Sequence, residues 1–184
     1  MKTIRTNLII ALSLFLGVAC LSFRPATPAA ESGIKWLTWD QMQEAQKKEP
    51  RKILVDVYTG WCGWCKRMDA TTYQNKTIVD YINTNFYAIK FDAESRETIN
   101  FRGRDFKYVS DGMHGYNELA AEILNNQMSY PTVVYMDEKL DEIFPVPGYE
   151  DAKMFETVLN FVVSNSYKST HFEEYQQSFK GKIK

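Results

Sequence analysis

The chain has 184 residues, 45% hydrophobic, 14% aromatic and 24% charged, which suits one compact domain with a packed core and excludes wholesale disorder. Net charge is -1, and residues 1–30 hold three basic residues and no acid, so the rest carries 19 basic against 23 acidic side chains. That balance argues against nucleic acid as a partner, which calls for a basic face.

Lys2 and Arg5 precede an apolar run from Leu8 to Val18 that is short for a membrane span. Gly17, Val18 and Ala19 follow, then Cys20. Residues 1–19 therefore read as an export signal. Cleavage before Cys20 would leave Cys20 as a lipidated first residue, although Gly17 stands where bacterial lipoprotein signals usually have Leu. Ordinary cleavage after Ala19 or near residues 28–30, or a retained anchor, are the other readings. The expected location is extracytoplasmic, periplasmic or membrane-tethered, with the membrane touched only through such a lipid. Residues 20–33, rich in Pro, Ala, Ser and Thr, read as a flexible linker. The folded domain is expected over residues 34–184.

Within it, Ile34 to Leu37 is a short strand candidate. Thr38 with Gln41 three residues on forms a capping box for a helix that Pro50 stops. Ile53 to Tyr58 is a nearly continuous apolar run, the pattern of a strand buried on both faces. One helix is expected from about Cys62, then a strand from Phe86 to Phe91. Residues 92–112 read as polar and irregular, and the longer stretch from Asp92 to Met128 as a surface loop, with a specificity insertion as the alternative. A helix over Tyr116 to Leu124 follows, with Leu119, Ala120 and Ile123 on one face. Thr132 to Met136 and Glu142 to Val146 read as a hairpin whose second strand, holding Pro145, lies at a sheet edge. Ala152 to Val163 is an amphipathic helix, and Phe172, Tyr175 and Phe179 mark a tail helix expected to pack on the domain. Alternating strands and helices predict an α/β fold with a mostly parallel central sheet covered on both faces and an antiparallel edge.

Outside the leader the chain has two cysteines, Cys62 and Cys65, too few and too close for a disulfide scaffold. The run from Asp56 to Lys66, containing Trp61-Cys62-Gly63-Trp64-Cys65, resembles the active-site segment of thioredoxins. It is most similar to exported thioredoxin-like proteins carrying the pattern WCxWCK, and the resemblance spans roughly residues 34–165. It implies a thioredoxin-like fold with a central mixed sheet flanked by helices, here with an N-terminal strand–helix and a C-terminal tail helix. A C-x-x-C pair opening a helix sets both sulfurs on one face, and the helix N-terminus favours a thiolate. Cys62 is then the exposed attacker and Cys65 resolves the mixed disulfide. Lys66 either adds positive potential or is a solvated helix charge.

The resemblance implies further roles. Asp56, in an apolar strand six residues before Cys62, would relay the proton of the inner cysteine; the alternative is a structural Asp bonded to nearby backbone. Pro131, after Tyr130, would be a cis-proline facing the dithiol, with the Tyr130 backbone binding substrate as an added strand; the alternative is a trans-Pro opening a strand. Gly148 would belong to a substrate-facing loop. Trp61 and Trp64, with Tyr58 and Tyr130, suggest an apolar docking face, unless one tryptophan, Trp61, packs in the core. Trp64 stands where classical thioredoxin has Pro and disulfide isomerases have His, so the direction of the chemistry does not transfer.

The expected function is a thiol–disulfide oxidoreductase, a reductant or isomerase rather than an oxidase. Its expected clients are disulfide-containing exported proteins. A tethered reductase would also need a membrane electron-donor protein. No cofactor is expected beyond the redox-active Cys62–Cys65 pair. A non-catalytic peptide-binding or chaperone-like module is the alternative. A zinc or copper site would need ligands that His114 and His171, at no motif spacing, do not supply.

Overall fold

The computed structural model describes residues 33–110, 112 and 115–184. The expected signal, nearly all of the linker, Cys20 and His114 lie outside the described residues. No helix among the described residues is long and apolar enough to cross a membrane.

Strand β2 (Lys52–Tyr58) is the centre of a five-stranded sheet. Ile53 to Val57 is buried throughout, as the unbroken apolar run predicts. On one side β2 pairs in parallel with β3 (Phe86–Asp92), which pairs in parallel with β1 (Trp36–Leu37). On the other it pairs antiparallel with β8 (Thr132–Met136), and β8 with the edge strand β9 (Glu142–Pro147). The order is β1-β3-β2-β8-β9. The sheet is mixed and flanked by helices as expected, with its four pairings divided evenly between parallel and antiparallel. Both prolines of β9 fall on the edge strand, where a missing N–H costs least.

Side-chain alternation along β2 divides the interior into two cores. Ile53, Val55 and Val57 meet Trp39 and Met42 of α1 (Trp39–Lys48) and Leu119, Ala120 and Ile123 of α4 (Glu118–Ile123). Leu54 lies in the opposite core with Met68 of α2 (Gly63–Ala70), Ile78 and Ile82 of α3 (Lys76–Asn85), and Phe155 and Leu159 of α5 (Ala152–Val163). Alternation puts Asp56 on the Leu54 face. The capping box of α1 is present: the Thr38 side chain accepts from the Gln41 N–H, and the Gln41 side chain accepts from the Thr38 N–H.

Three expectations need correction. The single helix after Cys62 is broken into α2, a 3-10 turn (Thr72–Gln74) and α3. Thr71 leaves helical geometry at φ -123°, ψ -77°, and Asn75 caps α3 with its side chain. The break sends Thr72 and Tyr73 into the core, where the Thr72 hydroxyl donates to the Glu150 carbonyl at 2.6 Å. Second, the stretch read as irregular carries short strands. They form two ribbons, β4 (Ile99–Phe101) with β5 (Arg104–Phe106) and β6 (Tyr108–Ser110) with β7 (Gly115–Asn117). Ile99, Phe101 and Phe106 anchor this segment in the first core. Arg102 and Gly103, both at positive φ, make the tight two-residue turn of the first ribbon. Third, α4 begins at Glu118, because Asn117 is buried and spends its side chain on the α4 N-terminus and on the carbonyls of Ser95 and Glu97.

The tail helix α6 (Phe172–Ser178) packs on α5 as expected: the Phe161 ring lies 5.3 Å from Phe172 and 5.0 Å from Tyr175.

Candidate active site: the Cys62–Cys65 pair

Strand β2 delivers the chain to the site, and Cys62 is the N-cap of α2. Its sulfur accepts a hydrogen bond from the Cys65 N–H at 3.0 Å, so Sγ of Cys62 sits against an unpaired donor of the helix N-terminus. The two cysteines form a disulfide. Both are covered in this form, Cys62 4% and Cys65 2% exposed, so exposure does not separate attacker from resolver. The cap position does, because it favours the thiolate at Cys62.

The tryptophans behave unlike core residues. Trp61 is 68% exposed and Trp64 57%. They make two separate plates. Trp61 meets the Tyr130 ring edge-on at 5.9 Å, and its Nε1 donates to Glu94 at 2.9 Å. Trp64 lies 5.4 Å from the Tyr149 ring, with the Arg67 guanidinium over both rings. Tyr58 is not part of this face; its ring lies against the Lys90 ammonium.

The Tyr130–Pro131 peptide is cis. Gly148 and Pro131 come together, the Gly148 N–H donating to the Pro131 carbonyl at 2.7 Å. Gly148 has φ 98°, a conformation that a residue with a Cβ resists. Burial pushes the Tyr130 phenol up to about 12, aided by the charges of Glu94 and Asp92, so it stays a neutral hydroxyl.

Asp56 is 1% exposed, and its Oδ2 accepts from Lys90 Nζ at 2.6 Å. Lys90 also pairs with Asp69 of α2, and its ammonium is ringed by Trp36, Tyr58 and Tyr73. Burial raises the Asp56 carboxyl above the usual carboxylate range, against the opposing pull of Lys90. For Lys90 burial works downward, but Asp56 and Asp69 outweigh it and the ammonium is held more firmly than usual. Lys90 and Asp69 were missed in the sequence. A lysine inside the apolar run of β3 was the available signal for the first. For the second it was an acid four residues after Cys65, one turn along the same helix face.

Residues 26–180 match the family model Thioredox_DsbH, described as a protein of unknown function, DUF255. The chain belongs to that family. Among curated proteins, the C. elegans uncharacterized protein B0495.5 is 27% identical over 139 residues, 72% of this chain and 17% of that protein. Spermatogenesis-associated protein 20 of the rat is 31% identical over 72 residues, 39% of this chain and 9% of its own length. The chain thus spans less than a fifth of either relative. Among solved structures it is similar to a thioredoxin-fold protein from Helicobacter pylori, with TM-score 0.56, 23% identity, and coverage of 70% of this chain and 83% of that one. It is also similar to a DsbH oxidoreductase, with TM-score 0.53, 14% identity, and coverage of 77% and 92%. These likenesses establish the thioredoxin fold. A Thioredox_DsbH chain with a C-x-x-C disulfide at a helix N-terminus has the makeup of a thiol–disulfide oxidoreductase.

Proposed function

We propose that this protein exchanges disulfides with exported protein clients as a reductant or isomerase, using Cys62 as nucleophile and Cys65 as resolving thiol. The observation that carries the reading is the Cys62–Cys65 disulfide at the N-cap of α2, backed by a buried carboxylate–lysine pair. In the reductive direction the Cys62 thiolate attacks a client disulfide and forms a mixed disulfide, releasing one client thiolate. Cys65 then gives its proton to Asp56 and attacks Sγ of Cys62, releasing the second client thiolate. The client gains two electrons and the protein is left as its disulfide; no bound cofactor takes part. Trp61 and Trp64 supply an apolar face, and the Tyr130 backbone beside Pro131 pairs with an extended client strand. Export of the chain, lipidation of Cys20 and a membrane electron donor belong to the same proposal.

The exposure of both tryptophans also favours the second reading, a module that holds peptides without turnover. A Cys62→Ser, Cys65→Ser double variant that keeps full biological activity would decide for it. The direct test of the first reading is the reduction potential of the pair, followed by tryptophan fluorescence in thiol buffers. A value of about -270 mV means a reductant and about -180 mV an isomerase, while about -120 mV contradicts the proposed direction. Absence of any reversible transition overturns the redox reading.

A further inference from the structure

The second core contains a set of polar atoms that its packing does not explain. Asp56 Oδ1, the hydroxyls of Tyr73 and Tyr135, and Glu150 Oε2 are all buried, with no hydrogen-bond partner among the described residues. Each such atom costs about 1–3 kcal/mol, so native cores hold few of them.

These four are gathered in one region. In the β2–β8 ladder Asp56 stands opposite Val133 and Leu54 opposite Tyr135, which sets Tyr135 two residues along the same face from Asp56's neighbour. Tyr73 lies in the 3-10 turn after α2. The Tyr73 ring lies 5.3 Å from the Lys90 ammonium that bonds Asp56, and the Tyr135 ring lies 5.7 Å from the ring of Phe144, which lines one groove with Glu150. The hydrogen bond from Thr72 to the Glu150 carbonyl ties the turn of Tyr73 to Glu150. The succession is Asp56, Tyr73, Tyr135, Glu150. At its end Glu150 lines an apolar groove of about 530 Å³ between β9 and α5, with Phe144, Met154, Phe161 and Phe172.

The two oxygens of Asp56 therefore face different surroundings. Oδ2 meets Lys90, which is shared with Asp69 and enclosed by three rings. An ammonium held in that way is a poor proton carrier. Oδ1 is buried with no partner among the described residues. Burial lifts the Glu150 carboxyl to about 7, with a smaller push from Asp151, so it accepts and releases a proton at neutral pH.

We propose that Tyr73, Tyr135 and Glu150 form a proton relay connecting Asp56 to the groove between β9 and α5, with Glu150 as its outer end. The proposal rests on the reading of Asp56 as proton acceptor for Cys65. When Cys65 ionises, its proton passes to the Asp56 carboxylate. The Asp56 acid then gives a proton toward Tyr73. Each tyrosine hydroxyl takes one proton and gives up another, ending neutral, and the Glu150 carboxylate receives the last and releases it to solvent. The relay requires an enclosed water in each gap between neighbouring hydroxyls, of the kind that polar interiors hold. One proton leaves for each Cys65 ionised, and the path reverses for the opposite reaction. Tyr73, Tyr135 and Glu150 are positioning residues; none is assigned contact with the client.

The test uses the full chain, with a peptide disulfide as client and single-turnover kinetics from pH 5 to 9. Tyr135→Phe and Glu150→Gln, which keep side-chain volume, are each expected to slow release of the second client thiol by about three- to tenfold and to remove the inflection near pH 7. KM should not change. The pH profile of the unsubstituted protein in both folded variants overturns the relay and leaves the oxidoreductase reading standing. Absence of exchange by the unsubstituted protein overturns both. A second measurement does not depend on variants that fold: carboxyl NMR of Glu150 should show different titration midpoints in the dithiol and disulfide forms. Identical midpoints overturn the relay.

Discussion

Lys90 stands directly across the β2–β3 ladder from Asp56, and its ammonium reaches the Asp56 carboxylate at 2.6 Å while also pairing with Asp69 of α2. The sheet register therefore places a cation beside the one carboxylate of β2, and the helix that carries the cysteines supplies that cation with a second anion. Lys90→Met removes the ammonium that donates to the Asp56 carboxylate. Breaking a buried pair of this kind costs about 3 kcal/mol. The loss should be larger at pH 8, where the Asp56 carboxylate has to be ionised without its partner, than at pH 4, where its raised carboxyl is more fully protonated. Urea unfolding at the two pH values checks this. Equal losses would mean that Lys90 acts through its aromatic contacts rather than through Asp56.

Cys62→Ser should abolish disulfide exchange, because Cys65 lacks the N-cap position that favours the thiolate at Cys62. Cys65→Ser should instead accumulate mixed disulfides on Cys62, visible by mass spectrometry after acid quenching. Adducts found on Cys65 in a Cys62→Ser protein, with none in the reverse variant, would exchange the two roles.

Asp56→Asn should slow turnover without unfolding the chain, since Lys90 keeps Asp69 as its partner. The slowing should vary with pH, because the lost group is a proton acceptor. A rate equal to that of the unsubstituted protein at every value from pH 6 to 9 would remove Asp56 from the mechanism.

The framework of this fold was legible because its strands and long helices carry their own signals. The unbroken apolar run of β2, the capping box at Thr38 and the amphipathic α5 each lie where the residues place them. The C-x-x-C pair was legible for the same reason: its spacing and its helix N-terminus are local. The missed features depend on distant partners. Thr71 breaks a helix beside a buried Thr72 that reaches Glu150, a residue 78 positions away. The ribbons β4–β5 and β6–β7 are three residues per strand, too short for alternation to be seen, and are held by a few buried side chains. The Lys90–Asp69 pair and the polar set ending at Glu150 exist only through sheet register and helix packing.

One carboxylate ties the backbone of the C-terminal segment to α5. Buried Glu156 of α5 accepts the Lys182 N–H at 2.8 Å and the Ile183 N–H at 2.9 Å. A Cβ at Gly181 would collide with that carboxylate. Gly181→Ala should therefore release both hydrogen bonds and cost about 1–3 kcal/mol. Hydrogen exchange at Lys182 and Ile183 should accelerate while the amides of β2 stay protected. Unchanged exchange at both would show that Glu156 yields to the methyl group.

Glu150 makes a stability prediction of definite sign. Burial raises its carboxyl from 4.5 to about 7 in the folded protein. The folded state then binds this proton more tightly than the unfolded chain does. Its contribution is complete below about pH 4.5 and is lost as pH rises to about 7, a change of about 3 kcal/mol. Glu150→Gln keeps the volume and removes the titration. The variant should be more stable than the unsubstituted protein at pH 8, and the difference should shrink as pH falls to 5. Chemical denaturation across this range measures it. A Gln variant that is less stable at pH 8 would show that the ionised carboxylate has a partner in solution, contrary to its orphaned Oε2. Greater stability together with slower exchange above pH 7 would show that the core tolerates a costly acid because the dithiol uses its proton.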